Sequence, residues 1–139
     1  MYLDTSAAVP LYALEAESER CESIVGTGDG FVSSELLIGE VASALLGKER
    51  ARVISSGLRA EIELRFEEHI ADGFVRLIPL NGILLHQAAE VMRQVYPLPL
   101  RTLDAIHLAT YLSVDAGPLF TRDRRMRDAA ARLGIPLVG

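Results

Sequence analysis

The chain has 139 residues, half of them hydrophobic, with 14 basic against 19 acidic side chains and a net charge of −5. That length suits one ordinary domain with a true core, and the hydrophobic fraction excludes a disordered chain. The acid excess argues against a protein that coats nucleic acid non-specifically, and no apolar run approaches the roughly 20 residues of a membrane span.

Met1-Tyr2-Leu3-Asp4 has no basic region ahead of an apolar stretch, so no secretory leader is predicted. The single cysteine, Cys21, allows neither an internal disulfide nor a cysteine-based zinc site; it reads as a buried helix residue. Both features predict a cytoplasmic protein. Tyr2-Leu3 predicts a short strand that ends at Asp4-Thr5-Ser6. Ser6 to Val9 opens a helix, with Pro10 tolerable only in its first turn, and the spacing of Leu11, Leu14, Ile24 and Val25 carries helix on to Gly26. Gly26-Thr27-Gly28-Asp29-Gly30 is a turn: it resembles a phosphate loop but lacks the strand-then-helix setting such a loop needs.

Phe31-Val32-Ser33 predicts a strand. Ser34-Glu35 begins a helix with an apolar stripe of Leu37, Ile38, Val41 and Leu45, Glu40 beside it, and an end near Gly47. From Arg52 to Ala71, Ile54, Leu58, Ile62 and Phe66 alternate with charged residues as in an amphipathic helix with ion pairs on its wet side. Phe74 to Ile78 is a strand closed by Pro79. Asn81 caps a helix that turns Leu84, Leu85, Ala88, Val91 and Met92 inward.

Pro97 and Pro99 bar helix just before Leu100-Arg101-Thr102, and Thr102 is the expected N-cap of the next helix. Leu103, Ala105, Ile106, Leu108, Ala109 and Leu112 leave it almost no polar face, so it is predicted to be buried. Asp104 sits in its first turn. A carboxylate there gains from the helix dipole, yet burial demands a charged partner or a metal. Pro118 to Thr121 is a strand, Asp123 opens a last helix that Gly134 stops, and Pro136 to Val138 is a final strand. Strands alternating with helices predict a layered α/β fold with a mainly parallel sheet. No linker or repeat divides residues 1–139, so one domain is expected.

In open α/β sheets, sites form outside the carboxyl ends of strands. Asp4 follows the first strand and Asp123 follows Leu119 to Thr121, so both point to one edge. Glu40 lies in the helix after Val32; only the fold can place Asp104. Each acid also has a plainer reading: Asp4 as a turn residue, Asp123 as an N-cap, Glu40 as a surface glutamate. Asp104 resists one.

Leu3-Asp4-Thr5-Ser6-Ala7, Glu40, Leu103-Asp104-Ala105-Ile106-His107-Leu108-Ala109 and Thr121-Arg122-Asp123-Arg124-Arg125-Met126 match, in order, the acidic positions of PIN-domain proteins. Over essentially its whole length the chain resembles most closely the ribonuclease toxins of VapBC toxin–antitoxin pairs. The resemblance implies a PIN-like three-layer α/β/α fold, with Asp4, Glu40, Asp104 and Asp123 as catalytic and metal-binding residues in one pocket. It implies an endoribonuclease dependent on Mg2+ or Mn2+, one or two ions per site, often a homodimer and held inactive by a VapB-type antitoxin. Pro10 departs from the pattern, standing where many relatives carry lysine.

The chemistry agrees with that implication. Hard divalent ions take oxygen ligands, and clustered carboxylates need cations. Asp4 and Asp104 are expected as main ligands, Glu40 and Asp123 as ligands through water, and Ser6 and Thr121 as hydroxyls that position them. His107, one turn after Asp104, reads as a packed histidine before a ligand or acid–base group. His69 and His86 read as structural or surface residues. Arg122, Arg124, Arg125, Arg127 and Arg132 form either a solvated face or one that contacts phosphate. Helices Ser34 to Leu46 and Arg52 to Ala71 are the expected antitoxin groove. Two other readings stand beside this one: a PIN-fold binding module with little activity, and a receiver-type domain phosphorylated on Asp4. The second lacks a second acid beside Asp4 and has Lys48 as its sole lysine.

Overall fold

The computed structural model of the chain describes residues 1–26 and 28–139. Five strands, β1 (Tyr2–Leu3), β2 (Phe31–Ser34), β3 (Val75–Ile78), β4 (Leu119–Phe120) and β5 (Leu137–Val138), form one sheet in the order β3-β2-β1-β4-β5. Every pairing is parallel. The helices are α1 (Thr5–Ala8), α2 (Ser18–Val25), α3 (Leu36–Arg50), α4 (Ser56–Ala71), α5 (Gly82–Val95), α6 (Thr102–Leu112) and α7 (Arg124–Arg132). No described helix is long and apolar enough to cross a membrane.

Strand alternation divides the core. Tyr2, Val32 and Leu119 pack with Ala88 and Val95 of α5, Ile106 and Leu108 of α6, and Met126 of α7. Leu3, Phe31, Val75 and Phe120 pack on the opposite face with Ala7, Cys21, Leu37, Val41, Ile62 and Phe66 from α1 to α4. The result is the expected α/β/α sandwich. Full burial of each Leu, Val or Phe contributes about 1.5–3 kcal/mol, so even two-residue strands are well held when both faces are covered. Gly30 marks the entry to β2: a side chain there would strike the main chain of Phe74 beside β3.

Several boundaries differ from the sequence expectation. The first helix does not run on to Gly26. It ends at Ala8, Val9–Leu11 is a 3-10 turn containing Pro10, and helix resumes at Ser18. Proline's missing N–H and its ring explain the break, and Leu14 is left exposed. Helix α3 passes Gly47 to Arg50, where Lys48 and Arg50 complement its C-terminal dipole. Helix α4 starts only at Ser56: Arg52 has φ 58° and Ser55 provides the cap, accepting from Leu58 N–H. Thr102 is not the cap of α6. It is the first helical residue, and Arg101 holds the extended cap geometry without a side-chain cap bond. Asn81 and Asp123 do cap α5 and α7, accepting from Leu84 and Met126 N–H. Of the Gly26–Gly30 turn, Thr27 lies outside the described residues.

Candidate active site

The central strand β1 has β2 on one side and β4 on the other, so chain connections diverge there and a crevice forms at the carboxyl ends. Asp4 leaves β1 at that crevice and caps α1, its Oδ1 accepting from Ala7 N–H at 3.1 Å. The Ser6 hydroxyl donates to the same carboxylate at 2.8 Å and Thr121 Oγ1 donates to Oδ2 at 2.7 Å. Asp4 is only 4% exposed. Burial raises its pKa above the usual carboxylate range, against the lowering effects of the Thr121 and Ser6 hydroxyls and the Ala7 N–H.

The same hydroxyls join β1 to the residues after β4. Ser6 Oγ accepts from Arg122 N–H at 2.8 Å, and Thr121 Oγ1 accepts from Asp123 N–H at 3.1 Å. A hydroxyl has one proton. With both protons committed to Asp4, the 3.3 Å approach of Ser6 Oγ to Thr121 Oγ1 is a packing contact.

Asp104 is in the first turn of α6 and 8% exposed. Arg101, three residues earlier, answers the problem its burial poses. Its Nε donates to Asp104 Oδ2 at 2.8 Å, while one terminal nitrogen donates to Asp123 Oδ2, also at 2.8 Å. The Asp104 hydrogen bond and charge, then the charge of Asp123, push the Arg101 pKa further up, so the guanidinium is a permanent cation between two anions.

Glu40 reaches this group through His107. Its Oε1 lies 2.7 Å from His107 Nε2, and Nδ1 is 2.9 Å from the Tyr2 hydroxyl. Burial, then the charge of Asp4, drives the Tyr2 pKa far up, so the phenol keeps its proton. A phenol donating to Nδ1 leaves Nε2 as the protonated nitrogen, which donates to Glu40. Beside Glu40 a cleft of about 470 Å³ opens between α3 and α6, walled by Leu36, Ala44 and Leu103 and reaching Thr5.

Asp104 and Asp123 thus share Arg101, Asp4 and Asp123 share the Thr121 hydroxyl, and Glu40 is tied in by His107. Among the described residues no three Asp, Glu, His or Cys side chains already form an ion cage. The donor set of carboxylates and hydroxyls still fits Mg2+ or Mn2+. Such ions use one or two carboxylates, several waters and substrate oxygens in place of an all-protein cage. Arg101 and Tyr2 are the residues that sequence reasoning passed over. For Arg101 a signal existed: it stands at i−3 to a buried aspartate, the spacing of a helical ion pair. For Tyr2 there was none, since its partner lies 105 positions away.

Residues 1–132 match the PIN domain family. The chain is 42% identical to Ribonuclease VapC46 of Mycobacterium tuberculosis (strain ATCC 25618 / H37Rv) over 142 aligned positions, which cover 99% of this chain and 95% of that protein. The parallel sheet, the acids at its carboxyl edge and these two likenesses agree: the chain belongs to the PIN-domain family and, within it, to the VapC-type ribonucleases.

Proposed function

We propose that this chain is a Mg2+- or Mn2+-dependent endoribonuclease acting through Asp4, Glu40, Asp104 and Asp123, and the toxin of a type II pair. The observation that carries the reading is a charge imbalance. Asp4 is buried among neutral donors, and Asp104 and Asp123 have one guanidinium between them. Three carboxylates against one contacting cation favour uptake of a divalent ion.

Asp4 and Asp104, the two most buried acids, are the main ligands; Asp123 and Glu40 hold waters at the rim. Thr121 and Ser6 fix both oxygens of Asp4, and His107 fixes the rotamer of Glu40. Arg101, which bonds both Asp104 and Asp123, would release at least one carboxylate to a bound ion, leaving part of its planar fork for a phosphate oxygen. A bound ion would supply an activated water and charge stabilisation at the phosphate. The test is cleavage of single-stranded or looped RNA by the purified chain with Mg2+ or Mn2+ and its arrest by EDTA. Wild-type rates in both Asp4→Asn and Asp104→Asn would sink the assignment of these residues, whereas no metal-dependent cleavage of any RNA by the unaltered chain would favour a binding module.

The partner in this reading is a small VapB-type antitoxin, with both working in the cytoplasm. Ile38, Leu46, Val53, Leu58 and Leu64 are exposed on or between α3 and α4, which supports that pair as its docking face. Co-purification of a small chain from the native host is the expected result. The homodimer is a further part of the proposal; a monomer by light scattering at micromolar concentration removes it.

A further inference from the structure

A second cavity, of about 500 Å³, lies on the other side of Thr121 from Asp4, at the carboxyl ends of β4 and β5. Three arginines from three separate elements line it: Arg20 of α2, Arg122 after β4 and Arg127 of α7. Each is tethered by only part of its fork. Arg127 donates to the Thr121 carbonyl at 3.2 Å and Arg122 to the Ser6 carbonyl at 3.0 Å. Arg20 reaches the Gly139 carbonyl at 3.4 Å. Arg122 also meets Glu15, and Arg20 meets Glu17, which is the cavity's one acidic side chain. A guanidinium has five N–H donors, so donors remain on all three.

We propose that this cavity is a phosphate subsite for the RNA strand, holding backbone phosphates next to the one presented to the acidic pocket. The inference rests on the ribonuclease reading and adds to it a place where the substrate is anchored. Thr121 carries the argument, because it belongs to both sites. Its hydroxyl holds Asp4 and its carbonyl holds Arg127, so a strand leaving the carboxylates on this side enters the arginine cavity at once. The need is electrostatic. The protein carries a net charge of −5, and its reaction pocket is lined by acids that repel a polyanion. Arginine matches phosphate geometry through its planar fork, and a local cationic cavity holds the strand where the overall charge opposes it. The late arginines of the sequence are thereby sorted: Arg122 and Arg127 face the cavity, while Arg124, Arg125 and Arg132 do not line it.

The test uses the whole chain and a fluorescein-labelled 2′-O-methyl oligoribonucleotide, with EDTA present so that no metal contributes and no cleavage occurs. Anisotropy titrations across a salt series give affinity and its salt slope. Each phosphate neutralised on a single strand contributes about 0.7 to the slope. Arg20→Gln combined with Arg127→Gln should therefore lower the slope by about 1.4 and weaken binding about tenfold at low salt. Arg20→Gln alone, an exposed change that leaves the Thr121 carbonyl tethered, should lower the slope by about 0.7 even if the double variant folds poorly. Arg93→Gln removes the same charge from α5, outside the cavity, and should leave the slope unchanged. An Arg20→Gln slope equal to that of the unaltered protein, or an equal loss from Arg93→Gln, overturns the subsite. So does an unaltered protein that does not bind the probe. If the unaltered chain still cuts RNA with Mg2+ or Mn2+, only the subsite has failed; if it cuts no RNA, the ribonuclease reading has failed with it.

Discussion

Asp4 and Asp123 each cap a helix with one oxygen, accepting from the N–H three residues on at 3.1 and 3.0 Å. Their second oxygens differ. Asp4 Oδ2 takes a neutral hydroxyl from Thr121, while Asp123 Oδ2 takes the cation of Arg101. Burial follows the same division: Asp4 is sealed between β1 and the chain after β4, whereas the Asp123 side chain is 24% exposed. A cap needs an oxygen, and either aspartate or asparagine supplies one. The cap at Asp4 therefore does not require the buried charge, which a cation in the proposed site would stabilise.

Removing that charge should produce the largest effect. Asp4→Asn, like Asp104→Asn, should lower cleavage by more than the 10- to 100-fold typical of residues that only support a ligand. In EDTA the same variant should melt higher than the unaltered protein near pH 7.5. The sign follows from linkage. Burial raises the Asp4 pKa above its usual 3.8, so the native state binds this proton more tightly than the unfolded chain. Stability is then lost as pH rises through that raised value. The advantage of asparagine should shrink as pH falls and the unaltered carboxyl takes up its proton. Thermal melts at pH 4 and 7.5 check this, and a lower melting point for Asp4→Asn at both would overturn it.

Thr121→Val comes next. It removes the donor to Asp4 and the acceptor for Asp123 N–H while keeping the shape of the side chain. A loss of about 10- to 100-fold in cleavage or metal affinity is expected, together with about 1–3 kcal/mol of stability from the unsatisfied buried group. Thr121→Ser should restore most of both; failure of that rescue would show that the methyl group is needed as well as the hydroxyl.

What the sequence made legible divides along the same line. Asp123 and Asn81 were readable as caps because a cap is local, a side chain and an N–H three residues away. Strand faces were readable from alternation, as with Tyr2 and Leu3. The break after Ala8 was less legible: Pro10 signalled it, but apolar spacing on either side imitated one helix. Arg101 is harder to read because a hydroxyl at Thr102 is the commoner cap, whereas Arg101 is fixed by two carboxylates, one of them 22 positions on. The tie between Glu40 and His107 spans 67 positions, and no local pattern encodes it.

Arg101→Gln probes the cation that Asp104 and Asp123 share. Hydrogen bonds to charged groups contribute about 1.5–3 kcal/mol, but the Arg101 side chain is 60% exposed, and solvent screening brings such a pair to about 1 kcal/mol or less. Losing this competitor should tighten Mn2+ binding up to about fivefold, measured by calorimetry without RNA. Unchanged or weaker Mn2+ binding would show that Arg101 does not occupy the ion's place.

The smallest effect separates the two duties of Asp123. Asparagine at 123 keeps an oxygen for Met126 N–H and loses only the charge toward Arg101, a partly exposed pair contributing about 0–1 kcal/mol. Alanine loses the cap as well, a further cost of about 1 kcal/mol, or about 3–4 °C in a domain of this size. In EDTA the melting order should be unaltered protein, then Asp123→Asn close beneath it, then Asp123→Ala. Metal separates the first two. If Asp123 orients water on a bound ion, Mg2+ should raise the melting point of the unaltered protein more than that of Asp123→Asn, and cleavage should fall in both variants. Equal stabilisation by Mg2+, with wild-type cleavage in Asp123→Asn, would make Asp123 a cap alone. The reaction would then rest on Asp4, Glu40 and Asp104.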